Sequence, residues 1–228
     1  MNSERTLLST AAALLAIAGS AAAQLPPLPP MTNGDGNPAN NGMKHALVSF
    51  EGAGLAVHVA QPPASPVTMT SGVGRSYDAP FDLLEGRYFN SQHGWLPEGI
   101  LVPPTGADVW IKRVSASAPT GASFRVYEGG MGNGMANWSV QEVYAADGDA
   151  WKWDREMQHD LFVADLPGRY SMTFEVYLGD ATTGAPLSQY GSATTTLRFT
   201  TPVPEPTTSL LALATVAGLL GSRRGNRR

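Results

Sequence analysis

Two histidines near the start of the chain stand where a metal-binding pair could form. His45 and His58 flank Gly52-Ala53-Gly54, a glycine-rich stretch between apolar runs that predicts the turn of a β-hairpin. A two-residue loop would place both imidazoles on one face, within one step of each other across the ladder. A three-residue loop would place them on opposite faces. The loop length therefore decides whether the two side chains can share a ligand.

His159 offers a third imidazole, from a predicted late strand that a β-fold can bring beside the first hairpin. Zinc accepts three imidazoles together with an oxygen donor. One hypothesis is therefore a zinc site, and the alternative is four histidines with unrelated structural roles and no cofactor. The candidate ligands are His45, His58 and His159, with Asp160 or His93 as the fourth.

Other catalytic arrangements have little support in the sequence. The chain contains no cysteine, which excludes disulfides, thiolate catalysis and Cys-ligated zinc. It has no G-x-S-x-G motif for a nucleophilic serine, and no pair of carboxylates stands out by its spacing. We expect a protein that is not an enzyme. The alternative is a polysaccharide hydrolase whose fold brings two carboxylates to about 5–10 Å from each other.

The charge of the chain argues against a nucleic-acid partner. The chain has 15 Lys and Arg and 19 Asp and Glu residues, of which five basic and two acidic ones lie in residues 1–23 and 202–228. The remaining part therefore carries a net charge near −7. Such a domain repels phosphate backbones and anionic lipid headgroups.

The five tryptophans allow a sugar-binding surface. Trp151 and Trp153 are two residues apart, so a strand would present both rings on one face. Exposed rings of this kind could stack on the apolar faces of sugars, which makes a glycan-binding module an alternative function. The competing interpretation is that most of the tryptophans fill the core.

Period-two alternation predicts the secondary structure. Over Arg169–Leu178, apolar residues at even positions alternate with polar residues or tyrosine at odd positions, so one face is core and the other faces water. Short strands, turn signals between them and no convincing helix before residue 202 predict an all-β fold, a single antiparallel β-sandwich. Core candidates on two earlier strands are Trp110, Val114, Phe124 and Val126.

The beginning of the chain predicts export. Leu7–Ala18 is apolar, and the small-residue run containing Ala21 and Ala23 offers an A-x-A site for signal peptidase. We assign residues 1–23 to a signal peptide. Residues 24–43, rich in Pro, Gly and Asn, are assigned to a flexible linker, and residues 44–201 to the exported β-sandwich domain.

The predicted linker contains Asn33-Gly34-Asp35-Gly36-Asn37, with three oxygen-bearing side chains at alternate positions, as in a calcium loop. Pro38 and Lys44 stand where such a loop needs Gly and Glu. A polar turn is therefore the favoured interpretation.

The last 27 residues show three features in a fixed order. Pro204 and Pro206 prevent helix formation before residue 207. The uncharged stretch 207–222 could form a helix about 24 Å long, close to the roughly 30 Å of a bilayer core. Four arginines follow and would keep the C-terminus in the cytoplasm. Residues 202–228 thus predict a transmembrane anchor, and a buried core helix is the less well matched alternative.

This tail resembles the PEP-CTERM sorting signal of Gram-negative bacteria. The resemblance implies that an exosortase recognises the tail and cleaves it near Pro-Glu-Pro, and that the protein reaches the cell surface or the extracellular polymer. The matching residues are Val203, Pro204, Glu205, Pro206, Thr207, the apolar run through Leu220, Arg223 and Arg224.

The end of the predicted domain is similar to bacterial surface-anchored domains with an H-x-H…W-x-F…PG-x-Y pattern, some of which carry PEP-CTERM tails and some of which look zinc-linked. The paired histidine of that pattern is reduced here to Gln158-His159. The matching residues are Trp153, His159, Phe162, Pro167-Gly168, Tyr170, Phe174 and a Thr-rich strand ending at Phe199.

Together these features predict an exported cell-surface or extracellular-matrix protein with a non-enzymatic structural or binding role. It would first be a membrane-anchored precursor. The expected partners are signal peptidase and exosortase as processing enzymes, the inner membrane through the C-terminal helix and, for a binding role, surface polysaccharide.

Overall fold

Strands dominate residues 31–59, 66–130 and 138–202, the part of the chain that the computed structural model describes. Within these ranges the fold is all-β, as the alternation predicts, with two single turns of 3-10 helix at Pro38–Asn40 and Phe81–Leu84. The strands are β1 (Lys44–Glu51), β2 (Gly54–Val59), β3 (Val67–Thr68), β4 (Thr70–Ser71), β5 (Tyr88–Asn90), β6 (His93–Pro97), β7 (Ala107–Ser117), β8 (Phe124–Tyr127), β9 (Ala150–Trp153), β10 (Gln158–His159), β11 (Leu161–Ala164), β12 (Arg169–Asp180) and β13 (Ala193–Thr200).

The strands form three sheets. The first has the order β10-β6-β1-β2, the second β4-β5-β11-β8 and the third β3-β13-β12-β7-β9. Most neighbours are antiparallel, but β1 pairs with β6 and β13 pairs with β3 in parallel. The sequence predicts antiparallel pairing throughout. The difference arises because the parallel partners are far apart in the chain and are joined by long crossovers rather than by tight turns.

β12 lies at the centre of the third sheet, between β13 and β7. Its even-numbered apolar residues are buried, as predicted from the alternation. Tyr177, on the predicted solvent face, is buried as well, because the turn after β12 covers it and its hydroxyl donates to the carbonyl of Gly184 (3.0 Å). The alternation therefore identifies the core face correctly, while the turn determines how much of the opposite face meets water.

A β-bulge in β7 changes which of its residues face the core. Ser115 pairs with Thr173 and Arg113 pairs with Phe174, so Val114 has no partner in β12. One extra residue reverses the alternation beyond the bulge. Val114, a predicted core residue, is consequently 42 % exposed. Of the other candidates, Phe124 and Val126 are buried. Trp110 is half-buried on the face of β7 that points away from the main core.

Aromatic side chains from all three sheets meet in one main core. Phe174 of the third sheet contacts Trp95 of the first (ring centroids 5.4 Å apart) and Phe162 of the second (6.3 Å). Phe162 also packs on Phe199 of β13 at 4.6 Å. On the other side of the second sheet, Leu161 belongs to a smaller apolar cluster that includes Trp138 and Leu84.

Residues 31–43, which the sequence assigns to the linker, make defined contacts with the domain. The N–H of Gly34 donates to the carbonyl of Thr68 (2.9 Å). The side-chain amide of Gln92 donates to the carbonyl of Asn40 (2.8 Å). The ordered domain thus extends into the predicted linker. Hydrogen bonds to backbone groups hold this segment. Because they require no apolar side chains, they produce no periodic hydrophobic pattern in the sequence.

The predicted signal peptide (1–23), its cleavage residues Ala21 and Ala23, and the sorting segment from residue 203 onward lie outside the described residues. Among the residues that are described, no helix is long and apolar enough to cross a bilayer.

The aromatic core generates a stability prediction. Phe174→Ala should lower the free energy of unfolding by about 3–5 kcal/mol, because the side chain is 1 % exposed and touches rings of two other sheets. Ile100→Ala, at a site 91 % exposed, should change it by less than about 0.5 kcal/mol. Urea unfolding followed by tryptophan fluorescence would measure both, and equal effects would contradict the assignment of Phe174 to the shared core.

Candidate functional site

The hairpin joining β1 and β2 has the register that the metal hypothesis requires. Glu51 pairs with Gly54, so the loop has two residues, Gly52 and Ala53. Gly52 has φ of +61°, as the first loop position of a type II′ turn requires. Leu47 pairs with His58, which puts His58 on the same face of the hairpin as His45. The prediction that follows from a two-residue loop is confirmed.

His45 and His159 meet across a glycine. In the first sheet Gly94 of β6 pairs with His45 on one side and with His159 on the other. The two imidazoles pack edge to face with centroids 5.4 Å apart. Gly94 makes this possible, because a Cβ at that position would lie 2.6 Å from three ring atoms of His159. The structure therefore brings two of the three predicted ligands together.

The hydrogen bonds of His159 determine which of its nitrogens is free. Nδ1 lies 3.0 Å from the carbonyl oxygen of Ser91. Because a carbonyl only accepts, Nδ1 carries the proton and the neutral ring keeps a lone pair on Nε2. Nε2 of His159 and Nε2 of His45 are both buried without a hydrogen-bond partner among the described residues. Each of the two rings thus has a nitrogen that is shielded from water and forms no hydrogen bond to the described residues.

The remaining candidate ligands do not join this pair. His58 lies on the far side of β1 from His159 and is exposed. His93 is next to Gly94 in β6, so its side chain lies on the face of the sheet opposite to His45 and His159. There it packs on Phe199 of the main core, with ring centroids 5.6 Å apart. Asp160 is next to His159 and also lies toward the main core, near Trp95. Within the described ranges, no three His, Asp or Glu side chains are arranged to hold a metal ion.

Burial keeps the core histidines neutral. Removal from water lowers the pKa of His93 to about 3, and electrostatic effects of Lys44 and His159 contribute in the same direction. It also lowers the pKa of His159 to about 4, against the smaller opposing effect of the bond to the Ser91 carbonyl. The pKa of His45 is lowered for the same reason. At neutral pH these rings act as neutral packing and hydrogen-bonding groups.

Asp160 shows the opposite response to the same environment. Burial raises its pKa to about 7, although the amide of Gln158 and the indole of Trp95 partly oppose the shift. Gln158 Nε2 donates to Oδ1 at 3.3 Å, while Oδ2 is buried without a partner among the described residues. A carboxyl that holds its proton near neutral pH could serve as a proton donor only if a reactant reached it, and it is 2 % exposed.

The tryptophans do not form the exposed platform that a sugar-binding face needs. Trp153 is fully buried, and its indole N–H donates to the carbonyl of Glu156 (2.7 Å). Trp151 is half-buried and packs against the main core. Trp95 and Trp138 are buried as well. Trp110 lies half-buried under the turn after β12. The interpretation of these residues as core residues is therefore the better one.

Two surface clefts, of about 560 and 310 Å³, are open to a ligand. No carboxylate of the described residues lines the larger one. The smaller is bordered by one, Asp165, which accepts the backbone N–H of Ser123 (2.8 Å). Among the residues that the structure describes, neither cleft contains the facing carboxylates of a glycoside hydrolase.

The calcium-like stretch forms consecutive Asx turns. The N–H groups of Asp35, Asn37 and Ala39 donate to the side-chain oxygens of Asn33, Asp35 and Asn37 at 3.1, 2.9 and 3.1 Å. Each of the three side chains thus caps the backbone two residues later. The interpretation as a polar turn agrees with this geometry.

Two residues of the histidine site are not apparent in the sequence. Gly94 reads as part of a turn in His93-Gly94-Trp95, and Ser91 has no distinguishing context. Only the register of β1, β6 and β10 shows that a missing side chain at position 94 creates the contact between the two imidazoles.

The packing at Gly94 can be tested with a double-mutant cycle. Gly94→Ala should destabilise the protein by about 1–3 kcal/mol, because its methyl group would overlap the His159 ring. In the background of His159→Ala the same change should cost much less, since the ring is gone. Urea unfolding of the four proteins would give the coupling energy. Additive effects would show that the ring does not lie over Gly94.

The raised pKa of Asp160 predicts a specific pH dependence. Between pH 4 and 7 the folded protein holds a proton on Asp160 that the unfolded chain has released, so this group contributes stability at low pH that is lost as the pH rises through 7. Asp160→Asn removes that loss. As the pH rises from 4 to 7, the unfolding free energy of the variant should therefore increase relative to that of the wild type by up to about 1.4 kcal/mol per pH unit. Above pH 7 the difference should stay constant.

The histidines contribute with the opposite sign: their depressed pKa values make stability fall as the pH falls below 6.5. This contribution is common to Asp160→Asn and wild type and cancels in the difference. Unfolding curves at pH 4.5, 6 and 8 would check the prediction, and a difference that does not change with pH would contradict a protonated Asp160.

Comparison of the chain with protein-family models, with curated proteins and with solved structures finds no significant match.

Proposed function

We propose that this chain is an exported protein with a non-enzymatic structural or binding role at the cell surface or in the extracellular matrix of a Gram-negative bacterium. Its C-terminal tail would sort it there. The observation that carries the proposal is the order of features from residue 203: a Pro-Glu-Pro motif, an uncharged apolar run and terminal arginines. Exosortase and the inner membrane are the partners that this order implies, and the A-x-A site at Ala21 and Ala23 implies signal peptidase.

The position of the last strand is compatible with removal of the tail. β13 ends at Thr200, and its pairing with β12 and β3 uses no residue of the sorting motif. Thr201 completes the end of the sheet, since its N–H donates to the carbonyl of Gly168 (2.9 Å) and its hydroxyl accepts the N–H of Gly168 (2.8 Å). Cleavage near Pro204 would leave these bonds intact.

We further infer that the three sheets pack as one β-sandwich between the signal peptide and the transmembrane helix. The support for this arrangement is the single main core, to which all three sheets contribute aromatic residues. With no cysteine available, such a core must supply the stability of the exported domain without disulfides.

The sorting proposal predicts two processing events. In a Gram-negative host that has an exosortase, mass spectrometry of the surface-released protein should find an N-terminus at Gln24 and a C-terminus between Pro204 and Thr207. Glu205→Ala should leave the protein as a membrane-bound form that keeps Arg228, because the motif is then broken. Glu98→Ala removes one exposed carboxylate of the domain and is the matched control, expected to be processed normally.

Recovery of the protein from the cytosol with its first 23 residues attached would contradict the proposal. A surface form of the wild-type protein that retains Arg228 would indicate simple membrane anchoring and contradict cleavage by exosortase.

A further inference from the structure

The larger surface cleft, of about 560 Å³, lies at the end of the third sheet where β7, β12 and β13 adjoin. Its polar lining consists of two arginines, Arg169 and Arg198, and two serines, Ser117 and Ser171, beside Pro66. We call it the arginine cleft. Its composition is unusual for a domain whose net charge is near −7, because its lining, as far as the structure describes the chain, includes no carboxylate.

The register places these side chains together on the outer face. Ser171 pairs with Ser117 on one side and with Arg198 on the other, so these three residues form one row across the sheet. Arg169 pairs with Thr200 in the adjacent row and is two residues from Ser171, hence on the same face. Diagonal neighbours of this kind lie about 7–8 Å apart, within reach of two arginine side chains.

Among the described residues the two guanidinium groups, like those of Arg75 and Arg87, lack the carboxylate partners that three other arginines have. Arg113, Arg125 and Arg155 each form an ion pair with a carboxylate. Within the described ranges, Arg169 and Arg198 have no such pair. Two like charges side by side without a counter-ion repel each other, and this repulsion would be relieved by a bound anion.

The donor set indicates what kind of anion fits. Two guanidinium forks can each donate two parallel hydrogen bonds to a planar or tetrahedral oxyanion. The hydroxyls of Ser117 and Ser171, which form no other hydrogen bond in the described part of the chain, can add donors from the floor of the cleft. The acidic surroundings disfavour a densely charged polymer such as nucleic acid, since most of its phosphates would meet repulsion.

We propose that the arginine cleft binds an acidic polysaccharide through the carboxylate or sulfate group of one sugar unit. The choice of a polysaccharide rests on the proposed location at the cell surface. The choice of an anionic group rests only on the two unpaired arginines and the two serines. A polymer whose charged groups are widely spaced would place one of them in the cleft. The neutral parts of the sugar would then lie along the hydroxyl-rich outer face formed by residues such as Thr173 and Thr196.

The test is a titration of the purified full-length protein in detergent at low ionic strength, by calorimetry. Hyaluronan, which carries one carboxylate on every second sugar, tests a carboxylate ligand, a sparsely sulfated dextran tests a sulfate ligand, and neutral dextran controls for binding without charge. We expect saturable binding to one or both charged polymers, weakened by added salt, and none to neutral dextran. Arg169→Gln/Arg198→Gln should weaken the binding at least about tenfold, because charged hydrogen bonds are lost.

The matched control is Arg87→Gln/Arg125→Gln, which removes the same charge from the smaller cleft, where Asp165 lies in the lining and Arg125 is paired with Glu142. It should keep wild-type affinity. Unchanged melting temperatures would show that both double variants fold.

Equal losses in the two double variants, or no loss in either, would overturn the cleft assignment, as would equal binding of neutral dextran. Tighter binding of single-stranded DNA than of either charged polysaccharide would overturn the polysaccharide assignment. None of these outcomes bears on tail processing, so failure here is distinguishable from failure of the sorting proposal.

Discussion

The packing of Phe174, Phe162 and Phe199 in the main core is the interaction on which the rest of this structure depends. The three rings join the second and third sheets, and Trp95 extends the contact to the first. Because the chain has no cysteine, no covalent bond can replace this burial. Aromatic side chains provide the largest buried area per residue, which makes a few of them sufficient to hold three small sheets together.

The same packing determines the chemistry of the histidines. The first sheet is covered on both faces near β6 and β10, so groups at this point lose their contact with water whichever way they point. His159 and His93 face opposite sides of the sheet and both have depressed pKa values, while the carboxyl of Asp160 keeps its proton to higher pH. Of the imidazoles that resemble a metal site in the sequence, His93 and His159 are buried neutral groups in the fold, and His45 pairs with His159. His58 is exposed and lies apart from them.

The outer face of the third sheet has a different physical character. It is rich in hydroxyls, as in the contact between Thr173 and Thr196 (2.9 Å), and most of its charges are paired, as in Lys112 with Glu175. Arg169 and Arg198 are the exception at one end of this face. The apolar interior thus contrasts with a polar exterior that has one unbalanced patch, and such a patch suits the binding role proposed above.

The sequence by itself determined the class of fold and the orientation of its strongest strand. The period-two pattern over residues 169–178 identifies the buried face of β12 correctly, because alternation of side chains is a local property of an extended backbone. The glycines at 52 and 54 likewise indicate the hairpin, and the two-residue loop that the structure shows then puts His45 and His58 on one face. Local sequence indicates only the face of a strand on which each side chain lies. It does not determine which strand becomes the next neighbour in the sheet.

The tertiary structure alone decided the rest. A one-residue bulge exposes Val114, an effect that depends on pairing with β12 and not on the residues around position 114. Long crossovers make two of the strand pairings parallel, and polar contacts anchor residues 31–43 without any apolar pattern. The contact of His45 with His159 across Gly94, and the placement of Arg169 and Arg198 on one face of the third sheet, bring together residues that are far apart in the chain. Such contacts follow from sheet order and register, which long-range packing sets and the sequence pattern does not contain.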